Sequence, residues 1–256
     1  MSHKPLLILL AITFYMSMHS AFAQDSVTVV RYAINKDWVK MIEGVDYLSS
    51  QEKERARYLY GGRSSYTAYT RLFFNDSVSM YSDVFDDEES YGYSWLKDPY
   101  LIRRNFERMQ IHDVMVWMRK VVIVEDSLEM PKWKILNDVR EIAGQICMNA
   151  SWTDTLRGQT YVAWFALSVP SRAGPERLCG LPGLILGVEV NNGAMEIMAQ
   201  SIDTVPLTDQ LEMPARFDGR KIKGKHISEE LYQIMVQKHM AAKRKAQEYP
   251  FWGIRY

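Results

Sequence analysis

From residue 26 to about residue 203 the chain alternates short runs of β-branched and aromatic residues with polar or glycine-containing breaks, a pattern of strands. Ser26 to Ile34 (SVTVVRYAI) opens the series. A helix is predicted next: Ser49 and Glu52 form a capping box ahead of Lys53 to Leu59, and Gly61-Gly62 ends it. Tyr66 to Phe74 and Ser77 to Tyr81 flank a turn at Asn75-Asp76. Further strands are predicted over Val114 to Glu125, Val139 to Trp152, Gly158 to Val169, Leu184 to Val190 and Ala194 to Asp203. The last two are joined by Asn191-Asn192-Gly193, a strong hairpin signal.

The alternation in Val139 to Ala150 places Ile142, Ile146, Met148 and Ala150 on one face and Glu141, Gln145, Cys147 and Asn149 on the other, so Cys147 points away from the more apolar side. Tyr161 to Leu167 is apolar on both faces, as in a strand covered on both sides. After Val205 the strand pattern fades into a basic stretch at Arg220 to Lys225. A second helix is predicted near 228–247, started by Ser228 with Glu229-Glu230, ended by Pro250 and docked by a stripe of Leu231, Ile234, Met235 and Met240. Phe251-Trp252 then reads either as a docked aromatic plug or as a partner-binding tip. The expected fold is mainly β (α+β): a curved antiparallel, half-barrel-like sheet, open rather than closed like a lipocalin, with a helix on its concave side.

Composition narrows the setting. The 256 residues carry 31 Lys+Arg against 31 Asp+Glu, a balance that excludes a polycationic nucleic-acid binder and a disordered acidic tail. Lys4, the uncharged run Leu6 to Met18 and Ala21-Phe22-Ala23 form a secretory signal, cleaved before Gln24, whose apolar core is too short for a membrane-spanning helix. The expected organisation is therefore a signal peptide at 1–23 and one domain over 24–256, in which 205–256 is a less regular extension. The mature chain has no transmembrane segment and is periplasmic or associated with the outer envelope. In that oxidising space Cys147 and Cys179 are expected to pair, which would stabilise the fold by roughly 3–4 kcal/mol. The acidic stretch Asp86 to Glu89 lacks calcium-loop spacing and reads as a solvated loop.

Pro170 to Gly183 is a long connection of fourteen residues, stiffened by Pro170 and Gly174-Pro175, with Pro182-Gly183 suited to a type II turn. It reads either as a rigid crossover covering the sheet or as a preformed binding edge of Pro170, Gly174, Pro175, Gly180, Leu181, Pro182 and Gly183. The run Gly180-Leu181-Pro182-Gly183-Leu184-Ile185 resembles the signature of the GLPGLI family of secreted Bacteroidetes proteins. Three further features agree in order and spacing: Ile142 to Ala150 (IAGQICMNA), Gly158 to Trp164 (GQTYVAW) and the Gly174-Pro175 step. Gln159 stands where the family usually has Arg. The resemblance implies an envelope protein without an assigned activity, with an outer-membrane TonB-dependent receptor or another envelope protein as partner.

No nucleophile motif, zinc signature or phosphate loop occurs, and the mature chain keeps three dispersed histidines, His112, His226 and His239. No enzyme activity and no cofactor are expected. The one metal-like pattern is Met109-x-x-His112-x-x-Met115-x-x-Met118, in which His112 and Met118 share a strand face and could suit copper. The leading expectation is a β-scaffold that binds an envelope partner or a small apolar ligand through the 170–183 loop and the covered sheet faces. Copper handling is the alternative.

Overall fold

A computed structural model describes residues 25–62, 65–83, 99–217, 219–251 and 254–255. The signal segment, the acidic stretch at 86–89 and Trp252 lie outside the described residues. The strands are β1 (Ser26–Asp37), β2 (Ser65–Phe74), β3 (Val78–Asp83), β4 (Leu101–Asn105), β5 (Gln110–Trp117), β6 (Lys120–Ser127) and β7 (Lys134–Ile142). They continue as β8 (Gln145–Asp154), β9 (Gln159–Ala166), β10 (Leu184–Val190), β11 (Met195–Pro206), β12 (Arg216–Phe217), β13 (Arg220–Lys221) and β14 (Lys225–Ile227). Among the described residues three helices accompany them: α1 (Trp38–Glu43), α2 (Ser50–Tyr60) and α3 (Glu229–Ala246).

Twelve strands form one sheet in the order β14-β6-β5-β4-β3-β2-β1-β11-β10-β9-β8-β7. Every pairing is antiparallel except β14 against β6. The sheet does not close into a barrel, as the sequence led us to expect. It is strongly curved: β7 and β11 are four places apart in the order, about 19 Å if flat, yet they touch. Its concave face holds the main core, where Tyr32, Leu72, Phe165, Leu184 and Ile197 are fully buried with Tyr232 and Val236 of α3. Burying such a side chain stabilises by about 1.5–3 kcal/mol. Val27, Met80, Leu101, Val114 and Ile123 form a second cluster, against which Val205, Leu207, Met213 and Phe217 of the 205–222 segment pack. Trp38, Ile42 and Ala56 of α1 and α2 pack with Tyr249 and Phe251, so Phe251 is docked.

Local chemistry places the expected elements. The Ser49 hydroxyl accepts the Glu52 N–H at 3.2 Å to start α2, and the Ser228 hydroxyl accepts that of Leu231 at 3.2 Å to start α3. Asn75 Oδ1 accepts the N–H groups of Ser77 and Val78 at the β2–β3 turn. Asn191, Asn192 and Gly193 all take the left-handed conformation between β10 and β11.

Four local expectations are corrected. Val114 to Glu125 is a hairpin, β5–β6, turned at Met118 (φ 47°) and Arg119 (φ 67°). Val139 to Trp152 is likewise a hairpin, β7–β8, turned at Ala143 (φ 49°) and Gly144 (φ 74°). The turn reassigns the faces: Ile146 is exposed, while Cys147 is buried on the inner side with Asn149. In α3 Met235 and Met240 pack against the core as expected, joined by the buried Tyr232 and Val236, whereas Leu231 and Ile234 face outward. Gly183 does not take a positive φ, so Pro182-Gly183 is not a type II turn. Its requirement is space, since a Cβ there would sit 2.2 Å from the Ala166 carbonyl oxygen.

Candidate functional site

The 167–183 connection does not stand off the sheet as an edge. Ala173, Leu178, Cys179 and Leu181 are buried, and backbone bonds from Gly180 N to Arg172 O (2.9 Å) and from Ile185 N to Ala173 O (3.1 Å) fold it on itself. Trp133 Nε1 donates to Cys179 O at 2.9 Å, and Tyr32 OH donates to Ile185 O at 2.6 Å, tying the later part of the connection and the start of β10 in place. Gly174, Pro175, Leu181 and Gly183 are therefore structural. Gly180 (φ 93°) supplies the bend, and Pro170 and Pro182 are exposed.

What the connection delivers inward is Glu176 and Arg177. Between it, the concave sheet face and α3 lies a cavity of about 470 Å³. Its apolar wall includes Ile111, Met115, Leu128, Met195 and Ile197, and its aromatic wall Tyr100, Trp152, Tyr161 and Tyr232. Trp152 and Tyr161 stack at 5.2 Å.

The polar wall is a set of buried ion pairs. Glu176 takes φ 56°, a conformation that costs a residue with a Cβ roughly 1–2 kcal/mol. Its carboxylate accepts from Tyr81 OH at 2.9 Å and from Tyr100 OH. The Arg255 guanidinium bonds Glu176 and Asp83, each at 2.8 Å, and lies 3.6 Å from the Tyr100 ring centroid. A second group joins Arg104 to Asp113 by two bonds, Asp113 to Arg177 at 2.9 Å, and Arg177 to Glu229 at the start of α3. Arg157 closes the far side, bonded to Asp154 at 2.8 Å.

Burial sets the electrostatics. Asp83 is pushed up to about 6, mainly by desolvation, with Arg255 opposing. Desolvation, then the Arg255 charge, pulls Lys36 down to about 7. Desolvation also works against the Arg177 cation, but Asp113 and Glu229 outweigh it and hold the guanidinium above its ordinary range. The Tyr161 phenol is raised by burial, and its OH donates to Gln159 Oε1 at 2.6 Å. Gln159 thus presents a neutral acceptor to this phenol.

The expected disulfide is not formed: Cys147 and Cys179 are both free and buried. Their surroundings differ. Cys147 Sγ lies 3.5 Å from Gln145 O, and burial raises its thiol to about 11. Cys179 is raised by burial too, with Arg104 drawing it back. The copper pair is not brought together either. His112 is in the middle of β5 and Met118 in the turn beyond it, so the six steps along the strand between them set them about 20 Å apart. His112 instead faces Glu125 at 3.3 Å, a carboxylate shared with His226 at 2.9 Å, and His239 bonds Pro250 O at 2.6 Å. Among the described residues no group of three His, Cys, Asp or Glu is placed to hold a metal ion, and no helix is long and apolar enough to cross a membrane.

Sequence reasoning passes over Glu176 and Arg177, the only charges between Gly174 and Gly183. Their signal is their isolation: two adjacent opposite charges inside an otherwise uncharged run bounded by glycines and prolines.

Comparison with known proteins agrees with this emphasis. Residues 153–187, from the end of β8 through the connection to β10, match the model of a family described as a protein of unknown function (Porph_ging). It is a family of the Bacteroidetes type, named for Porphyromonas gingivalis. No curated protein matches the chain. Among solved structures, PNGF-II in space group P21 is similar at 14% identity and a TM-score of 0.54, covering 84% of this chain and 34% of that one. PNGF-II in space group C2 gives 14% and 0.53, with 84% and 33% covered. An uncharacterized conserved protein from Thermus thermophilus gives 6% and 0.38, covering 85% and 99%. The chain thus spans about a third of the length of PNGF-II, and the likeness is one of fold.

Proposed function

We propose that this is a non-enzymatic, exported envelope protein of the GLPGLI type that holds a small ligand in the concave cavity, with a TonB-dependent receptor or another envelope protein as its partner. The observation that carries the reading is the placement of Glu176: a strained backbone, two tyrosine donors and a buried guanidinium fix one carboxylate at a cavity walled by apolar and aromatic side chains and by the paired charges of Arg104, Arg177, Glu229, Arg157 and Asp154. Concave, mostly apolar space with a few fixed polar groups is the usual make-up of a small-molecule site. The acids and guanidiniums of the wall bond one another, which suits positioning a ligand rather than moving protons. The likeness of fold to PNGF-II adds no activity to this reading. The family match supports it to the extent that the matched segment contains Asp154, Arg157, Tyr161, Glu176 and Arg177.

The test is binding of the neutral fluorescent probe N-phenyl-1-naphthylamine to the purified mature protein, compared with Met130→Trp, which fills the cavity wall. Saturable binding that Met130→Trp abolishes while circular dichroism stays unchanged is the expected result. Equal binding by both proteins would place the probe elsewhere and remove the support.

A further inference from the structure

The geometry points to a cation subsite at the Glu176 end of the cavity, built for a guanidinium or primary ammonium group of a small organic ligand and filled in this structure by the protein's own Arg255. This rests on the reading of the cavity as a ligand site and specifies the ligand's chemistry. Asp83 ends β3, Tyr81 lies two residues before it, Tyr100 immediately precedes β4, and Glu176 is fixed by the connection; each of these four side chains is buried. Together they present two carboxylates and an aromatic face to one point. There the guanidinium sits with one nitrogen 2.8 Å from each carboxylate and its carbon 3.6 Å from the Tyr100 centroid. Two acceptors in the plane and a ring above it are the recognition chemistry of a planar cation.

The occupant differs in kind from the walls. Arg255 lies outside every helix and strand, whereas the walls belong to β3, to the residue adjoining β4 and to the connection bonded into the sheet. It also lines the same cavity as Met195, Ile197 and Trp152. An alkyl guanidinium or alkyl ammonium ion could therefore place its charge between Asp83 and Glu176 and its chain along the apolar wall, with Arg255 withdrawn. Tethering gives Arg255 an effective concentration in the millimolar range, so the free ligand must compete with it.

The experiment compares the mature wild-type protein with Arg255→Ala and Arg255→Lys, using agmatine and methylguanidinium as cationic probes and methylurea as the neutral isostere. Arg255→Ala is expected to melt at a lower temperature, to be restored by millimolar methylguanidinium but not by methylurea, and to bind agmatine at least tenfold more tightly than the wild type in calorimetry. Adding Glu176→Gln is expected to remove that binding. Arg255→Lys, whose ammonium the subsite also takes, is expected to keep the wild-type affinity; if Arg255→Ala does not fold, the neutral Arg255→Gln carries the same comparison. Equal effects of methylguanidinium and methylurea, or equal agmatine affinity in wild type and variant, would overturn the subsite. N-phenyl-1-naphthylamine separates the two readings. Probe binding without agmatine binding refutes the subsite and leaves the cavity reading intact, whereas agmatine binding that Met130→Trp leaves unchanged refutes the shared cavity.

Discussion

Replacing Asp113 by Asn keeps the shape of the side chain and removes the one charge that two arginines share. Asp113 is fully buried and the Arg104 side chain is 5% exposed, so the variant leaves the Arg104 guanidinium buried beside the neutral Arg103 carbonyl instead of a carboxylate. Arg177 is better placed, because Glu229 still faces it. Breaking a buried pair by removing one partner costs about 3–5 kcal/mol, a large part of a typical net stability of about 5–15 kcal/mol. At roughly 2–4 °C per kcal/mol for a chain of this size, the midpoint should fall by roughly 6–20 °C. The control is Asp46→Asn, whose pair with Arg244 spans 3.2 Å at side-chain exposures of 72% and 61% and should contribute under about 1 kcal/mol. Differential scanning calorimetry and urea unfolding of both variants decide the matter. The double variant Arg104→Met, Asp113→Leu removes the pair together and should recover most of the loss, since the desolvation cost goes with it. If Asp113→Asn is no worse than Asp46→Asn, or if the double variant is worse than the two single changes added, the pair is not the buried, charge-coupled unit described.

Four further outcomes follow from the same structure. Lys36 titrates lower in the folded chain, about 7, than unfolded, so the unfolded state binds more protons between pH 7 and about 10.5 and stability rises across that window. The midpoint difference between wild type and Lys36→Met should therefore shift in favour of the wild type from pH 7 to pH 9; a constant difference would contradict it. Asp83 has the opposite sign: its folded value is raised to about 6, the native state binds the extra proton, and stability falls as pH rises from about 4 to 6, a slope that Asp83→Asn should flatten. Gly183→Ala should lose about 3 kcal/mol or more, because its Cβ meets the Ala166 backbone at 2.2 Å, whereas Gly62→Ala has nothing within 4 Å and should stay within about 0.5 kcal/mol in urea melts. Alkylation followed by mass measurement should add two groups in denaturant and few in the native state, since Cys147 and Cys179 are free and buried; a mass two hydrogens lighter would show a bond instead.

The legible strands have boundaries written in residue chemistry. Asn75-Asp76 and Asn191-Asn192-Gly193 supply the side-chain acceptors and left-handed backbone that tight turns use, and Ser49 and Ser228 cap the helices whose first turns follow them. Two hairpins read as continuous strands because their turns lack those signals. Met118 and Arg119 both take positive φ though each bears a Cβ, a local cost that the cross-strand pairing of β5 with β6 overrides. Ala143 does the same beside Gly144. Missing that turn reverses the face of everything after it, which puts Cys147 on the wrong side.

The same logic yields a test of the override itself. If Met118 and Arg119 are held left-handed by the sheet against their own preference, Met118→Asn with Arg119→Gly should relieve a strain of roughly 1–2 kcal/mol per residue while leaving the β5–β6 register unchanged. The site is not legible in this way, for its pairs span long stretches of chain: Glu176 meets Tyr81 across 95 residues and Arg255 meets Asp83 across 172. No periodicity records such contacts, and their one trace in the sequence is that charges interrupt apolar runs where a core strand should have none. Asp113 within β5 and Glu176-Arg177 within the connection are such interruptions. Their burial therefore makes a further demand on the unfolding data: a charged side chain that folds into a core must bring its partner with it, so Glu176→Ala should destabilise more than Arg177→Ala. The first takes one of two carboxylates from Arg255 and the acceptor from two buried tyrosine hydroxyls, while the second takes a partner from Glu229, whose side chain is already 25% exposed, and one of two guanidiniums from Asp113, which keeps both bonds to Arg104. A reversed order would mean that the energetic centre of the wall lies at α3 rather than at the Tyr81–Tyr100 end.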